Sequence, residues 1–152
     1  MTIAITLHLF AAVVWVGGMF FAYMALRPAA AAVLEPPLRL SLWSKVFSLF
    51  FPWVWASILI LFGTGYWMVI YVFGGFAQVG NYVHIMHGLA IIMLLVFLHV
   101  YYAPYKRLKQ FVADKNFPEA GKKLAQIRTL IAINLSLGLL ILVVVNIGQR
   151  IN

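Results

Sequence analysis

YVHIMHGLAIIMLLVFLHVYY, residues 82–102, carries no charged side chain and stops just short of Pro104. A helix rising about 1.5 Å per residue crosses a hydrocarbon core of about 30 Å over this length. Three further runs read the same way: about Ile3 to Leu26, about Val46 to Phe73 with Pro52 in its first turns, and about Leu130 to Ile147. Arg27-Pro28, Gly74-Gly75, Pro104 and Gly148 mark their ends. The predicted fold is all-α: a single domain, residues 1–152, forming an antiparallel four-helix bundle that spans the lipid bilayer. Composition agrees, with 65% hydrophobic and only 9% charged residues against about 25% charged in soluble domains. The first run has no basic segment before it and no small-residue cleavage site, so it reads as a retained span rather than a signal peptide.

Charge sets the expected orientation. The formal balance is +8. Arg27, Arg39 and Lys45 fall between spans one and two. Lys106, Arg107, Lys109, Lys115, Lys122, Lys123 and Arg128 fall between spans three and four. The connection from about Gly74 to Asn81 has no charge, and Arg150 alone lies on that side. The positive-inside rule then predicts a bacterial inner-membrane protein with both termini periplasmic. These cations report topology and attraction to anionic headgroups, not nucleic-acid binding. Residues 118–128 read as a helical start, either a short interfacial helix or an extension of the fourth span. There is no cysteine, which removes disulfides, iron–sulfur clusters and Cys-type zinc sites. Glu35, Asp114 and Glu119 all lie outside the spans, so no intramembrane carboxylate relay or hard-cation site is expected.

What remains inside the membrane is histidine, and intramembrane ionisable groups are functional candidates. Helix direction places His8 on span one and His84 and His87 on span three near the outer face. His99 stands alone near the opposite face, roughly 18 Å from His87 along the axis. At 100° per residue, Ala11, Ala12, Trp15, Met19 and Ala22 share the His8 face, and Gly88 lies close to the His84/His87 face. Small residues with one large ring suggest a flat slot. For Gly17, Gly18, Gly63, Gly65 and Gly138 the preferred reading is close helix packing, and for Asn134 and Asn146 interhelical hydrogen bonds.

Two chemistries fit such a site. His8 and His87 on separate helices suit bis-imidazole ligation of haem b, with His84 as a nearby proton or hydrogen-bond partner and Trp15 packing on the haem edge. Copper is the competing ligand, using His8, His84, Met86 and His87, although one regular helical turn does not converge the last three. The haem reading leads. It implies electron transfer or oxidation of a small redox substrate, with a membrane or periplasmic redox partner, and leaves enzymatic activity and oligomeric state open. A third reading is a small structural subunit without a cofactor.

The segment Leu7-His8-Leu9-Phe10-Ala11-Ala12-Val13-Val14-Trp15-Val16-Gly17-Gly18-Met19-Phe20-Phe21 resembles the opening helix of the copper-resistance D (CopD-like) membrane family. Its His8, Trp15, Gly18 spacing also resembles the first helix of HemJ-type protoporphyrinogen oxidases. His84, His87 and His99 are similar to the HemJ-type pattern of a His-x-Lys segment with a downstream histidine. That resemblance implies haem b held by a histidine on helix one and a lysine on the later helix, which carries over to His8 and His87. Here histidine replaces the lysine at a different spacing, which permits bis-histidine ligation. The CopD-like resemblance implies copper transport or tolerance.

Overall fold

The computed structural model describes residues 1–151, which form helices and turns with no strand among them. Four helical segments are long and apolar enough to cross a membrane: α1 (Thr2–Val33), α2 (Pro36–Val72), a third (Asn81–Ala113) and a last (Phe117–Ile151). A break at Ala103 divides the third into α3 (Asn81–Tyr102) and α4 (Pro104–Ala113); the last is α5. Side chains such as Phe10, Val13, Phe21, Leu59, Leu95 and Val143 point outward and are exposed. In water this surface would aggregate; against lipid it carries no penalty, and the helices satisfy their own backbone. The chain is an integral membrane protein with an all-α, four-span fold.

The helices overrun the predicted spans at the basic end. Arg27-Pro28 does not end α1. A wide π-type turn at Ala22–Leu26 precedes Pro28, loosening the ladder where its ring and missing N–H would interfere. The predicted first loop, Arg27 to Lys45, shrinks to Leu34 and Glu35, both extended (ψ 137° and 154°). Proline forces its predecessor out of the helical region, and Pro36 then starts α2 without a wasted donor. Pro52 does not interrupt α2, which runs 37 residues, or about 55 Å against a core of about 30 Å. The predicted third loop is likewise mostly helix. It consists of α4, a turn through Lys115 at φ 55°, and the first turns of α5, which continue unbroken into the span.

α1 packs on α2, and α3 on α5, while the α2 and α3 backbones rarely approach closely. In the basic half, rings fill that gap. Phe47 stacks on Phe51 at 5.0 Å; Phe51 meets Tyr105 edge-on at 4.8 Å and Phe97 at 5.4 Å; Trp55 reaches Phe97 at 5.3 Å. Edge-to-face pairs at these separations contribute about 0.5–1.5 kcal/mol each beyond area burial. Three glycines hold helices close. A Cβ on Gly18 would run into the Phe50 ring, one on Gly148 into Tyr82, and one on Gly138 would lie 2.8 Å from Val16. The packing reading fails for Gly17 and Gly63, where an added Cβ meets nothing within 4 Å. Asn134 does bridge helices, donating to the Met93 carbonyl at 3.0 Å, but Asn146 donates to Leu142 on its own helix.

Candidate functional site: the histidine cavity

In the half of the bundle away from the basic end, the space between α2 and α3 is not filled. A cavity of about 110 Å³ remains there, lined by His8, Trp15, Tyr66, Phe76, Met86 and His87 among others. The uncharged connection after α2 helps close it. Gly74 and Gly75 take φ of 81° and 111°, a left-handed region open to glycine without strain, and this reversal returns Phe76 to the cavity lining. The Phe76 ring lies 5.6 Å from His87 and 6.1 Å from His84.

The hydrogen bonds fix how His8 is presented. Its Nδ1 lies 2.9 Å from Thr64 Oγ1. A threonine hydroxyl has one proton, and Thr64 gives it to the carbonyl of Ile60, one turn back on α2. The Thr64 oxygen must therefore accept, and His8 Nδ1 must donate. This assigns the Nδ1–H tautomer from the network and leaves the lone pair on Nε2. A histidine that ligates a metal is ordinarily held this way, its second nitrogen tied to an acceptor that fixes ring orientation. Gly65 lies against the ring, where an added Cβ would make an ordinary contact 3.5 Å from His8 Cε1.

His87 is held more loosely. Tyr66 hydroxyl and His87 Nε2 are 3.2 Å apart, with Tyr66, Phe76 and Phe62 packed around the imidazole at centroid distances of 5.2, 5.6 and 6.1 Å. Met86 joins His87 on the cavity wall. Trp15, 3% exposed, forms part of the lining and meets Phe97 edge-on at 6.3 Å.

Sequence reasoning brought His8, His87, Met86 and Trp15 to one site, and the structure gathers all four. It leaves out two others. His84 is exposed and absent from the lining, so the four-residue copper set loses that member and its place beside the pair is taken by Phe76. Gly88 is exposed, and an added Cβ meets nothing within 4 Å, so it opens no slot. His99 is exposed near the other end. Thr64 and Phe76 were not foreseen. A threonine beside glycine in an otherwise apolar helix was the one available signal for Thr64.

The donor set is neutral: two imidazoles and a thioether. No group of three or more histidine, cysteine or acidic side chains lies close enough to hold a metal among the described residues. Haem fits this space poorly. Pockets that bury small ligands measure about 300–1,000 Å³, and here the rings of Tyr66, Phe62 and Phe76 already stand around His87. A macrocycle would require these side chains to move aside.

A family model described as copper resistance protein D matches residues 44–147, about two thirds of the chain. The match begins in α2 and so lies beyond the first-helix segment whose pattern suggested the resemblance. The HemJ-type likeness finds no support there. No curated protein and no solved structure matches.

Proposed function

Because the chain belongs to the copper resistance protein D (CopD) family, we propose that it handles copper, and that the cavity between α1, α2 and α3 takes Cu(I) as its cargo on His8 and His87 with Met86 alongside. The carrying observation is the 2.9 Å contact between His8 Nδ1 and a Thr64 hydroxyl that itself bonds the Ile60 carbonyl, an arrangement that assigns the proton to Nδ1 and the lone pair to Nε2. Softness selects the oxidation state. Imidazole and thioether suit Cu(I), and with no carboxylate to neutralise it a single charge costs less to bury on neutral donors than the double charge of Cu(II). The family match supports copper transport or tolerance over the haem reading, and the cavity volume favours an ion over a macrocycle.

The distribution of cations supports placing this cavity toward the outer side of a bacterial inner membrane, with both termini there. Copper would enter from that side, beneath Phe76, and be held about a turn and a half into the bilayer.

The test is anaerobic loading of the detergent-purified protein with Cu(I), removal of excess, and metal analysis beside a visible spectrum. Retained copper that is lost in His8→Ala and His87→Ala, reduced in Met86→Leu and kept in His84→Ala is the expected result. A Soret band that shifts on reduction and disappears in the histidine variants would restore haem and overturn the proposal. Copper retention indifferent to His8 would do the same.

A further inference from the structure

At the basic end lies a second and larger cavity, about 410 Å³, between α1, the start of α2 and the start of α5. Its chemistry is the opposite of the first. Arg27, Arg39 and Arg128 line it, and no acidic residue does. The chain has only three carboxylates. One of them, Glu119, pairs with Lys122 at 2.8 Å, the single ion pair among the described residues. Three arginines, two half-buried and Arg128 exposed, thus line one space that no carboxylate lines. Arg27 is also oriented, its guanidinium 4.3 Å above the Tyr23 ring, a contact that leaves its in-plane N–H donors free to bond elsewhere.

Gathering like charges is unfavourable unless an anion is shared, and planar guanidinium groups match phosphate oxygens in pairs. The rest of the cavity says what kind of anion. Arg27 and Arg128 flank the apolar runs of α1 and α5, where headgroups lie. Trp43 of α2 and Ile131 of α5 add apolar surface to the lining. A ligand that fits would be charged at one end and apolar below.

We propose that this cavity is a binding site for an anionic phospholipid, its phosphate held by Arg27, Arg39 and Arg128 and an acyl chain descending past Trp43 and Ile131. Basic pockets between transmembrane helices bind such headgroups in other membrane proteins. The site is separate from the copper cavity, and its test does not depend on copper.

Native mass spectrometry of the delipidated, detergent-held chain tests it, with dioleoyl-phosphatidylglycerol, dioleoyl-phosphatidylcholine and inorganic phosphate as probes. Phosphatidylglycerol should bind in preference to phosphatidylcholine. The set Arg27→Gln, Arg39→Gln, Arg128→Gln should weaken it at least ~10-fold. The set Lys106→Gln, Arg107→Gln, Lys109→Gln removes the same charge from the same end outside the cavity and should leave binding unchanged. Arg→Lys at the three cavity positions keeps charge and fold but loses the paired donors, and should weaken binding by less than the glutamine set. Equal retention of the two lipids would overturn the proposal, as would equal loss in the control set or lysine variants that bind like wild type. Displacement by inorganic phosphate at matched concentration would assign the cavity to a free anion instead.

Discussion

Replacing Thr64 by valine keeps the shape of the side chain and deletes the oxygen that accepts from His8 at 2.9 Å. In the metal-free variant the imidazole can move its proton to Nε2 or turn away. Copper binding must then restore the Nδ1–H tautomer without the Thr64 acceptor, leaving the backbone of Leu61 as the remaining partner of the ring. Loss of an acceptor by a part-buried donor costs about 1–3 kcal/mol. At about 1.4 kcal/mol per decade this is a ~5–150-fold loss, in line with the ~10–100-fold losses seen when such orienting partners are removed. The measurement is competition for Cu(I) with a chromophoric chelator, anaerobically and in detergent, alongside helicity by circular dichroism. Thr64→Ser restores the hydroxyl without the methyl and should bind within ~3-fold of wild type, since the hydrogen bond rather than packing is the larger contribution. Valine binding as tightly as wild type while His8→Ala binds nothing would refute the tautomer argument. Serine as weak as valine would show that packing matters there instead.

Tyr66→Phe should act in the opposite direction. It removes the hydroxyl that engages His87 Nε2 at 3.2 Å and should tighten Cu(I) binding by ~2–10-fold in the same assay, the equivalent of one neutral hydrogen bond. Gly18→Ala forces the Phe50 ring aside and should lower stability by about 1–3 kcal/mol in detergent unfolding. Gly17→Ala meets nothing and should be neutral or stabilising by up to about 1 kcal/mol; a matching loss at Gly17 would contradict the packing assigned to α1. Asn134→Leu gives up the bond to Met93 but also removes a buried oxygen with no partner. The two effects offset, so unfolding should shift by no more than about 1 kcal/mol.

The sequence made the four spans legible because lipid imposes a length and a composition on any segment that crosses it. It misjudged the connections for the same reason. Arg27, Arg39, Lys106 and Arg128 look like loop residues by hydropathy, yet a helix leaving the bilayer can stay helical with charged side chains in the headgroups. Pro28 looked like a stop, yet a wide turn absorbs it, and Pro52, expected in the first turns of the second span, lies well inside α2.

The site was legible only as far as one helix can be read alone. Phase placed Trp15 beneath His8 on α1, and depth matched His8 with His87. Which of His84 and His87 faces inward depended on how α3 turns toward α2, and the loop between them settled the contact. Gly74 and Gly75 let Phe76 turn back into the cavity lining, its ring near both His84 and His87. The protonation of His8 lay furthest from view. It rests on Thr64, 56 residues away in sequence, and on where Thr64 spends its own proton. A hydropathy pattern sees a lone threonine as a blemish in an apolar run. Across the helix interface the same hydroxyl holds one nitrogen of His8 and leaves the other for the proposed cation, which is why Thr64→Val tests the copper proposal more sharply than removal of the histidine itself.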